Sequence, residues 1–353
     1  MVIMIYIVLF GIFAVLAFFL LMRKDGRKRR RIPGPKGFPL LGCVLEVNAE
    51  NIFVKFSEYA REYGDIFQVN LMNNTIVGLN SENLIRLAFS EDGYRQYLNN
   101  KPATFYGEMF FYGSQCTVLS KDGYSADHNA YRKGFIKATK EYATGGGYSV
   151  LEENIMREIK SGLLEKIESY TGGDFEIVSE LKSSLSNTLS CLLIGQTFSE
   201  NDPNGMVIEE FSDSTDFFLS SSVNDVLSPM PFLRHMPGPY RKQFTRAMKT
   251  KESVINAFFK QQKESYVPGV IRGAVDYSLK EQIKDREAGR EPFFTDERII
   301  SQILEIMATG LLTTWGFLSN AFLCLLNHPE YQDKMFEELD RIVGRDRDLN
   351  QND

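Results

Sequence analysis

Residues 296–327 read DERIISQILEIMATGLLTTWGFLSNAFLCLLN, and the reading of this stretch decides the fold. It predicts one helix, which at 1.5 Å per residue is about 48 Å long. Thr295 stands where a side-chain oxygen can cap the first free amides, and Asp296 and Glu297 suit the positive end of the helix dipole. Ile303, Leu304, Ile306, Met307, Leu311, Leu312, Phe317 and Leu318 leave almost no polar side, which predicts a helix buried through the centre of a domain. In its middle, Thr309-Gly310-Leu311-Leu312-Thr313-Thr314 is a weak helix former, since an interior Gly costs about 1 kcal/mol against Ala. Two readings fit that anomaly. A ligand approaches the backbone there, or the segment is a small-residue packing notch whose Thr hydroxyls bond back to their own helix. Pro329 opens a further helix at its first turn and Gly344 ends it.

Working toward the N-terminus, helical periodicity predicts helices at Tyr240–Ser265, Met206–Phe218, Phe175–Ile194, Leu151–Tyr170 and Asp127–Tyr142. Before these, Ile66–Leu71 and Thr75–Leu79 read as two strands around an Asn73-Asn74 turn. Phe53, Phe56, Ala60 and Tyr63 recur at helical spacing up to Gly64, and Ser81 can cap a short helix reaching Phe89. The expected fold class is therefore mainly α with a small β-sheet. Gly145-Gly146-Gly147 follows no strand and precedes no Lys-Ser/Thr, so it reads as a loop rather than a phosphate cradle.

The chain opens on 22 residues without a charge, Met1 to Met22, followed by Arg23 to Arg31 with seven Lys/Arg against one Asp. The apolar run is long enough to cross a bilayer core, and the positive-inside rule then puts its N-terminus in the lumen and the body in the cytosol. A cleaved signal would carry its charges before a shorter apolar run. Pro33, Pro35 and Pro39, interleaved with Gly34, Gly37 and Gly42, form a stiff hinge. The expected division is 1–22 anchor, 23–44 basic run and hinge, and 45–353 body.

Net charge is −6 for the whole chain, and residues 32–353 alone carry −12. An acidic body excludes nucleic acid as the expected partner. Twenty-seven Phe and sixteen Tyr suit a large apolar core with room for an apolar ligand site. Cys43, Cys116, Cys191 and Cys324 form no CxxC pair; buried free thiols are expected, above all for the two in apolar helical patterns, Cys191 and Cys324. No metal site is expected, since His128 has no second ligand near it.

Taken together, these segments resemble the microsomal cytochrome P-450s, haem-thiolate monooxygenases, and most of all the animal steroid and xenobiotic hydroxylases. The anchor, the basic run and IPGPKGFPLLG (32–42) are similar to that family's membrane head and proline hinge. YAREYGDIFQV (59–69), TGLLTT (309–314) and NHPEYQDKMFEELDRIVGRDR (327–347) are similar to its first helix and sheet, its oxygen-activating motif and the helix after it. The resemblance implies an endoplasmic-reticulum membrane location, a haem cofactor, a flavoprotein NADPH-dependent reductase as electron donor and a lipophilic small-molecule substrate. It implies that Thr313 bonds iron-bound dioxygen and that Gly310 lets the helix open beside the haem, with Thr309 at the same face. Leu312 stands where the family has a carboxylate, and Thr309 where it has Ala or Gly. His128-Asn129-Ala130-Tyr131-Arg132 takes the place of a Trp-x-x-x-Arg propionate contact: Arg132 keeps the cation, and His128 replaces the Trp. Lys133, Lys137 and Lys140 continue a basic helix that faces the electron donor in the family or is a solvated face. Phe105, Phe110, Phe111 and Tyr112, with Phe217, Phe218, Leu219, Met230, Phe232 and Leu233, fall in its substrate-contacting regions, as does Leu311. Aromatic clusters of this kind also serve as plain core.

The family's haem sulfur comes from a Cys in a Phe-x-x-Gly-x-x-x-Cys-x-Gly loop, and none of the four cysteines has that framework. The expectation is an N-terminal two-thirds of the fold, lacking the axial ligand and inactive as a monooxygenase. The alternatives are a haem-free membrane-bound binder of lipophilic molecules and a fragment without function.

Overall fold

The computed structural model describes residues 32–350 apart from 40, 49, 72–73, 91, 99, 114–124, 145–147 and 200–201. The anchor, the basic run, Asn73, Cys116 and the glycine triplet lie outside the described residues. The chain divides into two compact units, residues 1–94 and 95–353.

In the first unit, helix α1 (Ile52–Tyr63) leads into strands β1 (Ile66–Leu71) and β2 (Asn74–Leu79), followed by α2 (Glu82–Ser90); α3 (Asp92–Leu98) spans the division. The strands pair antiparallel from Ile66 opposite Leu79 to Leu71 opposite Asn74. Phe67 and Val69 point inward onto Tyr59, Val47 and Cys43, and Phe56 meets Phe67 edge-on at 5.3 Å. The predicted hinge is tied to β1. The Gln68 amide donates to the Pro33 carbonyl at 2.8 Å, and the Cys43 amide to the Asn70 carbonyl at 2.8 Å. A Cβ on Gly34 would lie 1.9 Å from the Gln68 carbonyl oxygen, so only glycine lets the backbones approach this closely.

The second unit is helical: α4 (Phe105–Phe110), α5 (Ala126–Thr144), α6 (Tyr148–Arg157), α7 (Glu165–Ser169), α8 (Ile177–Ile194), α9 (Met206–Leu219), α10 (Ser221–Leu227), α11 (Pro239–Val254), α12 (Gln261–Glu264), α13 (Ala274–Glu287), α14 (Asp296–Asn327) and α15 (Pro329–Ile342). The two long predicted helices 151–170 and 240–265 are each interrupted by a π-helical stretch, at Glu158–Leu164 and Ile255–Lys260. Thr295 caps α14 as expected, accepting from the Arg298 amide at 3.2 Å. One core runs through Ile208, Phe211, Phe258, Ile303, Leu304, Met307 and Leu311.

Central burial of α14 holds only as far as Leu311. Phe317 and Leu326 are each 72% exposed, Leu312 and Leu318 are half-buried, and Cys324, expected to be a buried thiol, is exposed. The reason is geometric. Helix α8 lies along one side of α14, with the Trp315 indole donating to the Val178 carbonyl at 2.9 Å, and among the described residues nothing covers the other side of the second half.

Helices α4, α10 and α13 have no counterpart in the sequence reading. In α13 the inward positions include Asp276, Ser278 and Gln282, all essentially fully buried, which breaks the apolar period. Asp276 makes that burial tolerable by accepting from the Arg272 amide (3.0 Å), the Arg272 guanidinium (2.6 and 2.9 Å) and Gln262 (2.8 Å). Removing one partner of such a pair strands a buried charge. Urea unfolding of Asp276→Ala is expected to show a loss of about 3–5 kcal/mol, whereas replacing Arg272 and Asp276 together by Met and Leu loses distinctly less.

Candidate functional site

The site begins at the weak segment of α14. The Thr309 hydroxyl donates to the Glu305 carbonyl at 2.6 Å, and the Thr313 hydroxyl to the Thr309 carbonyl at 2.6 Å. A Cβ on Gly310 would come within 2.9 Å of Leu189 Cδ2 on α8. The arrangement is the packing notch of the second reading: glycine lets α8 close on α14, and both hydroxyls donate within their own helix. Each hydroxyl keeps lone pairs that can accept. Thr309 and Thr313 are exposed, and the stripe they begin continues through Phe317, Asn320 and Cys324 at helical spacing.

Arg298 fastens α5 to the first turn of α14. It holds Asp127 in a bidentate pair at 2.6 and 2.8 Å, and its carbonyl accepts from the Tyr131 hydroxyl at 3.2 Å. This junction lies fifteen residues, about 22 Å along the axis, before Thr313. On α5, Arg132 is exposed, as are Lys133, Lys137 and Lys140. His128 is half-buried, and its Nδ1 is buried with no hydrogen-bond partner among the described residues. Burial, reinforced by the charge of Arg132, lowers its pKa below the ordinary histidine value, so near neutrality the ring is neutral and one nitrogen is left to accept.

The two expected apolar stretches meet. Phe105, Phe110 and Phe111 from α4 and its exit, Phe218 from α9, and Leu311 from α14 belong to one core, each 3% exposed or less, with Phe217 half-buried at its edge. Ring centroids stand 5.7 Å apart for Phe105–Phe218 and 5.4 Å for Phe110–Phe218. Helix α4 is held over α10 by the Ser228 hydroxyl, which accepts from the Phe105 amide at 3.0 Å, and by Asn224, which accepts from the Tyr106 amide at 3.2 Å.

Beside this aromatic wall sits a residue the sequence did not single out. Lys251, in the outwardly solvated-looking run Lys249-Thr250-Lys251-Glu252, is 4% exposed. Its Nζ donates to the Met109 carbonyl at 3.2 Å and lies 4.2 Å from the centre of the Tyr112 ring. Burial pulls its pKa down to about 8, against a small upward pull from Glu252. A second polar pocket, about 120 Å³ and lined by Arg157, Glu158, Cys191 and Thr197, opens at the π-helical stretch after α6. There burial raises the Glu158 carboxyl and pushes the Cys191 thiol up to about 11. Burial also raises the Cys43 thiol. Neither sulfur is disposed to be a thiolate ligand.

The family model for cytochrome P450 matches residues 32–353, and the chain belongs to that family. It is 25% identical over 326 residues to cytochrome P450 2H2 of Gallus gallus, covering 92% of this chain and 64% of that relative. It is 25% identical to cytochrome P450 2F2 of Mus musculus over 316 residues, 89% of this chain and 62% of the relative. Vitamin D(3) 25-hydroxylase of Sus scrofa matches at 25% over 333 residues, 93% of this chain and 64% of its own. The chain thus spans just under two thirds of the length of these relatives.

Lys251 sets a pH signature. Its folded pKa lies below the unfolded value of about 10.4, so the folded state binds fewer protons between the two values and stability rises with pH across that window. Below pH 8 the cost of burying the charge is fully present. Wild type is expected to gain on the order of 2 kcal/mol relative to Lys251→Met between pH 7.5 and 10, read from urea midpoints.

Proposed function

We propose that this chain carries the oxygen-activating helix of a membrane-anchored haem-thiolate monooxygenase acting on a lipophilic, steroid- or xenobiotic-like substrate. One observation carries the reading. Within a chain matched to the family from residue 32 onward, α14 is buried up to Leu311 and then turns a Thr309–Thr313–Phe317–Asn320 stripe outward. A flat, partly polar stripe on a rigid helix is a surface against which a planar cofactor can lie.

The residues present fit a haem in charge and exposure. Arg132 is an exposed cation for a propionate, the neutral His128 ring one turn before it has one N–H to offer such a carboxylate, and Thr309 and Thr313 line the stripe. Haem bound through a cysteine thiolate supplies the electron-rich iron with which the family activates dioxygen. Thr313 Oγ1, donating to its own helix, can accept from a water at the stripe and hold it there. Leu312 offers no proton, so proton delivery at Thr313 runs through such water rather than through a neighbouring carboxylate. Leu311, Phe110 and Phe218 form an apolar wall that excludes water and favours a lipophilic substrate.

The environment follows from the same reasoning. The 3₁₀ turn Pro231–His235 exposes Phe232 between Met230 and Met236, and exposed Arg241 and Lys242 follow in the first turn of α11, an apolar tip with basic residues close in sequence that suits a membrane surface. On this reading the apolar N-terminal run is the anchor and the body lies on the cytosolic side of the endoplasmic reticulum, with this tip resting at the membrane. The exposed lysines of α5 give a flavoprotein NADPH-dependent reductase an electropositive face to meet.

On this reading none of the three described cysteines is the haem ligand: burial raises the Cys43 and Cys191 thiols, and Cys324, exposed on the stripe of α14, has none of the glycine framework of the family's ligand loop. A haem-free lipophile binder is the second reading, favoured by the aromatic wall being assembled entirely within the chain. Purified full chain reconstituted with haem is expected to give no thiolate-type Soret band in the reduced carbon-monoxide difference spectrum. A normal thiolate band overturns this assignment.

A further inference from the structure

Three features coincide at the exit of α4. Lys251 is a buried cation contributed by α11. Its ammonium donates to the carbonyl of Met109, in the last turn of α4, and sits over the face of Tyr112. Tyr112 itself has φ +45°, the one non-glycine residue among those described in the left-handed region. A side chain held in that region costs on the order of 1 kcal/mol or more and persists only where its surroundings enforce it. The surroundings here are the apolar core against which Tyr112 packs, the Gly113 amide bonded back to the Glu108 carbonyl at 3.2 Å, and the ammonium on the ring face, a contact worth most when desolvated. The nearby carboxylates are Glu108 of α4 itself, whose Oε2 would lie 3.7 Å from a Cβ on Gly113, Glu252 beside Lys251 on α11, and Glu297 of α14; burial, then Glu297 and Glu252, raise the Tyr112 pKa and keep its phenol neutral.

We propose that Lys251 is a positioning residue, whose ammonium clasps the exit turn of α4 and thereby fixes the aromatic wall of Phe105, Phe110 and Phe111. The consequence for ligands rests on the reading of that wall as substrate-facing. A clasp of this kind does what buried ions do where they are retained at a cost in stability: it selects one conformation. Without it, Tyr112 relaxes to negative φ, the Met109 carbonyl loses its donor, and Phe110 and Phe111, just before the turn, lose their fixed register against Phe218 and Tyr106. The lowered pKa agrees in direction, because a group kept for stability alone would not be buried at that expense.

Hydrogen–deuterium exchange on the full chain tests this with Lys251→Met, which keeps the apolar stem and removes donor and charge. Amides in 107–113 are expected to exchange at least tenfold faster, those of α13 to be unchanged, and the urea midpoint at pH 7 not to fall. Tyr112→Leu is expected to reproduce the local effect and Tyr112→Phe not. Exchange in 107–113 within twofold of wild type overturns the proposal. So does a lowered midpoint with all helices accelerating together, which is what a merely structural lysine would give. Nile red affinity, measured in parallel, is expected to shift at least threefold in Lys251→Met and in Phe110→Ala. If Phe110→Ala leaves it unchanged, the wall is not ligand-facing and the reading of the site fails, while the exchange data still decide the clasp.

Discussion

The second unit depends on how α14 packs. Its first half is inserted into the core through Ile303, Leu304, Met307 and Leu311, and its middle is locked against α8 by the missing Cβ of Gly310 and the indole of Trp315. A helix is a rigid rod over this length. Fixing one half therefore fixes the direction in which the other half presents its side chains, and the stripe from Thr309 to Asn320 is aimed by residues that never touch it. Arg298, at the first turn of the same helix, carries α5 with it through Asp127 and Tyr131. The cationic and hydroxyl-bearing faces of the candidate site are thus referred to one element.

The same rod explains the exposed apolar surface. Phe317, Leu323 and Leu326 of α14, and Tyr331, Met335 and Phe336 of α15, each lie more than a third exposed. Contiguous apolar surface of this kind is uncommon on a monomer and marks a face that meets something else. Under the proposed function, the α14 part of this surface is the face against which a haem would lie.

Much of this was legible in the sequence because it is written in local chemistry. The Thr295 cap, the Gly64 stop, the proline start at Pro329 and the strand pair Ile66–Leu71 and Thr75–Leu79, the second of which begins one residue earlier at Asn74, follow from side-chain and backbone preferences that act within a few residues. What escaped is what depends on distant partners. Helix α13 was hidden because Asp276, Ser278 and Gln282 face inward, which only Arg272, Gln262, Gln302 and the Phe294 carbonyl make possible. Lys251 looked like one more solvated lysine, and nothing in its neighbours in sequence announces the Met109 carbonyl 142 positions away. The burial of α14 was overread for the complementary reason: apolar residues state what a surface prefers, not what covers it. For the candidate site, the family motif placed Thr309, Gly310 and Thr313 on one helix and Arg132 and His128 on another, but the use of Gly310 as a seat for Leu189 needed the fold.

The central claim is that α14 is half core and half open face. Thiol labelling of the native chain, followed residue by residue by mass spectrometry, tests it most directly. Cys324, on the open half, is expected to react at close to the rate of a free exposed thiol, while Cys191, on α8 and packed against Leu151 at 1% exposure, reacts only on unfolding. Protection of Cys324 comparable to that of Cys191 would contradict the account.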